Sequence, residues 1–354
     1  MATDISASKA TDIAVDAFGA VPGADASAPP LEVVDLQVEF RTRAGVAHAV
    51  NGVSFHLDAG ETLAILGESG CGKSVTAQAI MGILDSPPGF VTGGEVRYRG
   101  VDLLKLPENQ RRRVRANQIA MIFQDALSAL NPVFTVGFQL AELFRVHRGT
   151  SRQEGLRRAV ELLDMVRIPA AAQRVRDYPH QFSGGMRQRV MIAMALALDP
   201  EIVIADEPTT ALDVTVQAQI MHLLAEVQQE RQMGLILITH DMGVVADVAD
   251  RIAVMYAGRV VEEAPVYDIY ARPAHPYTKA LLESVPRLDH KGQQLAVIKG
   301  LPPTLTAIPP GCPFHPRCGY AQDKCRKPPV PPRYDVAHRH ASACHFWPEV
   351  RGDE

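Results

Sequence analysis

Residues 67–74 read GESGCGKS, after a short apolar run at 62–66 and before a segment of helical character at 74–84. A glycine, four residues and then Gly-Lys-Ser, between a strand and a helix, is the pattern of a phosphate-binding P-loop. Its glycines let backbone N–H groups converge on phosphate oxygens, and the helix N-terminus adds its positive dipole end. The alternative is a chance glycine-rich turn, which the complete pattern disfavours. The candidate nucleotide-binding residues of the loop are Gly67, Ser69, Gly70, Cys71, Gly72, Lys73 and Ser74.

A second apolar run, 202–205, reads as a buried strand that ends in Asp206 and Glu207. Beside a P-loop, Ser74 and Asp206 are the expected Mg²⁺ ligands, Asp206 through water, while Lys73 is expected to reach the β- and γ-phosphates. Glu207 is the candidate to orient or deprotonate the attacking water. An apolar strand ending in Asp-Glu is a weak signal alone, and the P-loop makes it a strong one.

Residues 183–188 read SGGMRQ and precede an apolar helix. Ser183 can cap that helix, and Gly184 and Gly185 leave its first amides uncovered. A plain capped helix is the alternative. Because two consecutive glycines cost helix stability, close approach of a ligand explains them better.

These motifs, in this order and spacing, resemble the ATP-binding cassette (ABC) ATPases over roughly residues 31–265. Further segments, including the Cys/Pro-rich tail, look like the oligopeptide/dipeptide importer ATPases. The resemblance rests on residues 67–74, Gln124, 183–188, Asp206-Glu207, Ala211-Leu212-Asp213 and Thr239-His240, and within the family on Ile122–Asp125, Asn131-Pro132 and His275–Thr278.

The resemblance implies an α/β fold: a P-loop NTPase cassette with a mixed RecA-like sheet core, an antiparallel β subdomain and a helical subdomain at about 103–197. A leader at 1–30, predicted to be disordered, precedes the cassette at 31–265. A small Cys/Pro-rich C-terminal extension, 266–354, follows, where clustered prolines exclude long helices and central strands.

The resemblance also implies head-to-tail pairing, in which each ATP lies between one subunit's P-loop and the other's signature helix. Ser183, Gly184 and Gly185 would then contact the γ-phosphate bound on the partner subunit. His240 would act as the γ-phosphate switch, Gln124 would sense Mg²⁺ and the attacking water, and Asp213 would communicate across the dimer. Phe40 is the candidate to stack on adenine, with a strand core residue as the equal alternative.

Four of the five cysteines, Cys312, Cys318, Cys325 and Cys344, lie in the tail with five, six and eighteen residues between them. Structural zinc sites usually contain pairs two to four residues apart, whereas an iron–sulfur cluster is held by four cysteines. Some importer ATPases of the family carry a four-iron cluster here, so a 4Fe–4S cluster is the leading expectation. Zinc, or four free thiols or two disulfides without metal, remain the alternatives.

The composition excludes other classes. The formal net charge is −4, so the basic run at 111–115 reads as a solvated helix face and no nucleic-acid partner is expected. There is no apolar run of about 20 residues and no signal peptide. The resemblance instead implies a peripheral protein on the cytoplasmic face of the inner membrane. Its implied partners are a second ATPase subunit, identical or paralogous, two transmembrane permease subunits and an extracytoplasmic solute-binding protein.

The runner-up is a soluble ABC-type ATPase of DNA repair or translation. DNA-repair relatives separate the P-loop and the signature by long coiled coils, whereas here no heptad run lies between Ser74 and Ser183. Translation-type relatives usually carry two cassettes, and this chain has one P-loop. The leading expectation is therefore an ATP-hydrolysing subunit of a peptide importer.

Overall fold

The computed structural model of the chain describes residues 21–210, 212–284 and 298–352, in which the strands form two sheets. The strands are β1 Leu31–Thr42, β2 Gly45–Leu57, β3 Thr62–Leu66, β4 Gly89–Tyr98, β5 Val101–Asp102, β6 Ile119–Ile122, β7 Ile202–Asp206, β8 Gly234–Ile238, β9 Arg251–Tyr256, β10 Arg259–Pro265, β11 Tyr334–Ala337 and β12 His340–Ser342. The helices are α1 Lys73–Met81, α2 Glu108–Asn117, α3 Ala126–Ala129, α4 Val136–Arg148, α5 Arg152–Met165, α6 Ala171–Arg174, α7 Gly184–Leu196, α8 Val214–Arg231, α9 Met242–Val248, α10 Val266–Ala271, α11 Pro276–Glu283 and α12 Trp347–Arg351.

The larger sheet has the order β11-β12-β10-β9-β3-β8-β7-β6, and its five strands from β9 to β6 are parallel. Every residue of β3, β7 and β8 is buried, as expected for parallel strands covered on both faces. The carboxyl ends of parallel strands meet at one edge. The sheet therefore brings the loop after β3 and the carboxylates at the end of β7 to the same edge.

The smaller sheet is antiparallel, with the order β2-β1-β4-β5. Burial alternates along β1, where Leu31, Val33, Leu36 and Val38 face a core that includes Leu63 and Ile65 of β3. This sheet matches the antiparallel β subdomain that the resemblance implies. Its strand β4, which contains three glycines, was not predicted from the sequence.

The region predicted to be mostly helical, 103–197, contains one strand of the larger sheet. Strand β6 pairs with β7 in parallel, from Ile119 opposite Ile202 to Ile122 opposite Ala205. A four-residue apolar run carries too little periodicity to distinguish a strand from a helix, which is why the strand was missed. The helices α3 to α7 follow it and pack around a core that includes Leu140, Leu163 and Val190.

The predicted leader is ordered over its last ten residues, which corrects the prediction of disorder for 21–30. The Asp25 amide donates to the Arg99 carbonyl at 2.9 Å, and Arg99 Nη1 donates to the carbonyls of Ala26 and Ala28. The chain in this stretch is therefore tied to the turn between β4 and β5. Residues 1–20 lie outside the described residues.

The described parts of the C-terminal segment, 266–284 and 298–352, are built of short elements. They join the larger sheet, because β12 pairs antiparallel with β10. At this seam Glu262 of β10 is fully buried. Its carboxylate accepts hydrogen bonds from the amides of Ala274 and His275 and lies 2.8 Å from His340 Nε2. A buried carboxylate with three partners fixes the segment against the cassette.

Candidate functional site

The loop 67–72 runs from β3 to α1 in the context that the sequence predicts. Gly67 has φ of 153°, and a Cβ there would lie 2.3 Å from the Met255 carbonyl oxygen, so a side chain is excluded. Helix α1 begins at Lys73 after Gly72 and has no side-chain cap. The first amides of this helix are therefore left for a ligand, which is the arrangement that binds phosphate.

The Lys73 side chain turns back over this loop. It is buried, and its ammonium donates to the Gly67 carbonyl at 2.7 Å and to the Glu68 carbonyl at 3.2 Å. A buried ammonium has to be hydrogen-bonded, and phosphate oxygens are stronger acceptors than carbonyl oxygens. The side chain is thus held where an entering phosphate would meet it.

Ser74 and Asp206 lie together at the carboxyl edge of the sheet, since Ser74 Oγ donates to Asp206 Oδ1 at 2.9 Å. Burial raises the pKa of the Asp206 carboxyl, the hydrogen bond from Ser74 opposes this, and the neighbouring Glu207 charge adds to it. A hydroxyl and a carboxylate are the oxygen donors that Mg²⁺ prefers. The donor set therefore fits this ion.

Glu207 is the centre of a polar cluster. Its Oε2 accepts from Gln124 Nε2 at 3.2 Å and from Thr210 Oγ1 at 2.9 Å, and His240 Nδ1 lies 3.5 Å from its Oε1. Its backbone φ of 45° is left-handed, which costs about 1–3 kcal/mol and is concentrated at functional sites. The structure thus brings three predicted residues together and adds Thr210, which sequence reasoning missed although a hydroxyl residue three positions after the carboxylate was visible.

The signature Ser183–Gly185 lies at the start of α7. Ser183 caps the helix by accepting the Met186 amide, as predicted, and Asp213 caps α8 in the same way. A Cβ on Gly185 would lie 2.6 Å from Val216 Cγ1, so packing of α7 on α8 also requires this glycine. Within the described ranges, no hydrogen bond or ion pair joins the signature to the P-loop of the same chain.

Two further predicted residues have other surroundings. Phe40 lies in β1 opposite Ala47 and Gly89 and packs, half-buried, against the core of the smaller sheet. Its stacking on adenine stays a prediction beside this packing role. Cys71 is buried in the P-loop, and burial raises the pKa of its thiol. Ala211 of the motif before α8 lies outside the described residues.

The four cysteines of the C-terminal segment line one cavity, together with Phe314 and Phe346. All five cysteines of the chain are free thiols. Burial raises the pKa of Cys312 to about 11 and that of Cys344 to about 12, and the nearby thiols add to both shifts. Among the described residues there is no group of three His, Cys, Asp or Glu side chains that could hold a metal ion, so the predicted metal site is not supported by this geometry.

The fold and the site together define an ATPase of the ATP-binding cassette class. An ABC transporter family model matches residues 50–210, and a model of the oligopeptide/dipeptide transporter C-terminal region matches residues 261–325. The chain belongs to the ATP-binding subunits of the oligopeptide/dipeptide ABC transporters. This membership confirms the resemblance and does not favour the alternative of a soluble ATPase of DNA repair or translation.

Among curated relatives, the dipeptide transport ATP-binding protein DppD of Bacillus subtilis is 54% identical over 81% of this chain and 86% of its own length. The oligopeptide transport ATP-binding protein OppD of Salmonella typhimurium is 52% identical over 84% of this chain and 89% of its own length. Among solved structures, the ATP-binding cassette MJ0796, a dimer in a post-hydrolysis state bound to ADP and Pi, has a TM-score of 0.60 at 29% identity, covering 67% of this chain and 98% of its own. None of the described helices of this chain is both long enough and apolar enough to cross a membrane.

Proposed function

We propose that this chain supplies the energy for peptide import, by hydrolysing ATP on the cytoplasmic face of the inner membrane. The observation that carries this proposal is the match of residues 261–325 to a region described for oligopeptide/dipeptide transporters. Relatives named for dipeptide and oligopeptide transport, matched over more than four fifths of this chain, support it.

In the proposed reaction the P-loop holds the phosphates of ATP. The amides at the start of α1 and the Lys73 ammonium take the phosphate oxygens, with Lys73 exchanging its two carbonyl acceptors for phosphate. Ser74 and Asp206 would hold Mg²⁺, which would neutralise part of the phosphate charge. Ser69, Gly70, Cys71 and Gly72 contribute through the backbone, and Phe40 stacks on adenine.

Glu207 acts as the general base in this proposal. Its carboxylate is ready to accept a proton from water, and Gln124 and Thr210 orient it through the hydrogen bonds to Oε2. His240, whose side chain is mostly exposed, lies beside Oε1 and is placed to contact the γ-phosphate. Gln124 therefore has two tasks, holding Glu207 and sensing the attacking water.

The active form is proposed to be a head-to-tail pair with an identical or paralogous ATPase. Ser183 and Gly184 are exposed and separate from their own P-loop, which leaves them free for the γ-phosphate bound on a partner subunit. Asp213 is exposed as well, and it caps α8, which packs closely on α7 at Gly185. A contact at the signature would therefore act on α8, the helix that Asp213 caps.

The importer assignment requires two transmembrane permease subunits and an extracytoplasmic solute-binding protein. We expect the chain, purified from detergent-solubilised membranes, to bring two polytopic membrane proteins with it. A soluble ATPase of DNA repair or translation would bring none, and their absence from a preparation that retains ATPase activity would contradict the importer assignment.

We further propose that Cys312, Cys318, Cys325 and Cys344 hold a 4Fe–4S cluster. The support is that all four line one cavity with apolar walls. Thiolates that share one zinc ion each lie about 2.3 Å from it, whereas those of a cluster bind different irons and stand farther apart. With four thiols around one cavity, the cluster is proposed ahead of zinc. A bound cluster would supply one-electron redox chemistry.

The cluster is tested by anaerobic purification and metal analysis. We expect about four irons per chain and an absorbance band at about 400 nm, and both should be lost in Cys344→Ser. The matched control is Cys71→Ser, which changes the one cysteine outside the cavity and should keep the iron. A colourless anaerobic preparation without iron would contradict the proposal. Zinc in place of iron would show that the four cysteines form a zinc site instead.

A further inference from the structure

An arginine of the C-terminal segment forms an ion pair with a residue of the P-loop. Arg317 Nη1 donates to Glu68 Oε2 at 2.6 Å and Nη2 donates to Glu68 Oε1 at 2.9 Å. This is the two-pronged geometry that a guanidinium and a carboxylate form best. The Arg317 side chain is only 5% exposed and Glu68 26%, so the pair is shielded from solvent more than an ordinary surface ion pair.

A second residue of the same segment holds the backbone of Glu68. The Glu68 amide donates to Tyr277 Oη at 2.8 Å. The Tyr277 ring is fully buried and packs against Tyr256 and Phe314, with ring centroids 4.7 and 5.3 Å apart. We call Arg317 and Tyr277 the clasp, since together they fix both the side chain and the main chain of Glu68.

The clasp is itself held rigidly. Arg317 Nε donates to the Lys299 carbonyl at 3.1 Å, Nη2 also reaches the Gly300 carbonyl, and the guanidinium lies over the Tyr256 ring. Arg317 directly precedes Cys318, one of the four cysteines around the cavity. The position of the guanidinium therefore depends on the fold of the cysteine-containing segment.

Glu68 is a problem for ATP binding that the clasp would solve. Glu68 is part of the loop on which the phosphates would lie, and its carbonyl accepts from Lys73, the proposed phosphate-binding lysine. An unpaired carboxylate there would repel a polyphosphate, and the repulsion is strong where water is partly excluded. A guanidinium bound to both carboxylate oxygens neutralises that charge.

We propose that Arg317 and Tyr277 are positioning residues of the ATP site, which act through Glu68 by neutralising its charge and fixing its amide. The inference rests on the proposed binding of phosphate to residues 67–74. It makes the affinity for ATP depend on a segment that lies outside the cassette motifs. A break in the cysteine segment would then weaken nucleotide binding without altering any motif residue.

A merely structural ion pair is the competing explanation, and charge distinguishes the two. We expect Arg317→Gln to weaken MgATP binding about tenfold, because Glu68 is left unpaired. Glu68→Gln combined with Arg317→Gln should recover most of that loss, since the repelling charge is gone. Arg317→Lys should lie between, because it keeps the charge and loses the paired geometry. A merely structural pair predicts instead that the loss of ATP affinity in each variant follows its loss of thermal stability and does not change with salt.

The measurement is the dissociation constant of MgATP by isothermal titration calorimetry, on the full chain at low and high NaCl. The loss in Arg317→Gln should shrink at high salt, because screening weakens the repulsion. Thermal unfolding and thiol labelling show whether each variant keeps its fold.

The matched control is Arg251→Gln. Arg251 is another buried arginine with two hydrogen bonds to one carboxylate, that of Glu61, and it lies at the opposite end of β9 from the P-loop side. The Arg251→Gln variant should have a lower free energy of unfolding, while its folded form should bind ATP as tightly as the unaltered chain does. If Arg317→Gln fails to fold, Arg317→Lys and Tyr277→Phe carry the test, both being expected to weaken binding.

Unchanged ATP affinity in folded Arg317→Gln, or a double variant as weak as the single one, would overturn the clasp while leaving the ATP site intact. Failure of the unaltered chain to bind ATP would instead overturn the proposed function. The two failures are therefore distinguishable in one set of titrations.

Discussion

Glu207→Gln is expected to lower the steady-state ATPase rate by about 10²–10⁴-fold, the usual contribution of a general base. The amide keeps the size of the side chain and can still accept a hydrogen bond, but it cannot take a proton from water. Gln124, Thr210 and His240 surround the carboxylate in the structure, so the site is expected to keep its shape. ATP binding should therefore remain while hydrolysis stops.

The trapped state is the second readout of Glu207→Gln. With MgATP the variant should form a stable dimer in size-exclusion chromatography, because ATP that is not hydrolysed keeps two subunits joined. Ser183→Arg in the same background is the control, since a bulky side chain at the exposed signature would block the γ-phosphate of the partner subunit. Undiminished turnover in Glu207→Gln would refute the assignment of the base, and a dimer that persists with Ser183→Arg would refute the head-to-tail contact.

Lys73→Ala is expected to weaken nucleotide binding by about 100-fold. Hydrogen bonds to charged groups contribute about 1.5–3 kcal/mol each, and every 1.4 kcal/mol is about a factor of ten. Lys73 is buried over the loop, and its ammonium donates to the carbonyls of Gly67 and Glu68 there. Its loss removes the cation that balances the phosphates.

The affinity of Lys73→Ala is measured by titration with MgATP. Lys105→Ala serves as its control, because Lys105 is exposed and its ion-pair partners, Glu95 and Asp102, lie outside the P-loop motif. The control should bind ATP as the unaltered chain does. Normal affinity in Lys73→Ala would contradict the P-loop assignment.

The local geometry at the centre of the site could be predicted from the sequence motifs, because each motif joins a fixed local geometry to a fixed chemistry. The P-loop needs only a strand, a turn and a helix, and the structure has β3, 67–72 and α1 in that order. Ser74 and Asp206 lie far apart in the sequence, yet parallel strands with a common carboxyl edge bring them within hydrogen-bond distance. The roles of these residues remain proposals.

Features that depend on distant contacts could not be predicted. Strand β6 is four residues long and is identified by its pairing with β7. The order of residues 21–30 depends on hydrogen bonds to Arg99, in the turn between β4 and β5. The ion pair of Glu68 with Arg317 spans 249 positions, and no local pattern announces it. The packing role of Gly185 could not be predicted either, because the motif does not reveal that a side chain at this position would collide with Val216.

The claim that this ATPase powers peptide import is tested most directly by the ATPase rate of the purified membrane complex in proteoliposomes. The rate should rise when peptide-loaded solute-binding protein is added on the extracytoplasmic side, and Glu207→Gln should remove the stimulated activity. A rate that is the same with and without peptide, in a complex that contains both permease subunits, would contradict the account.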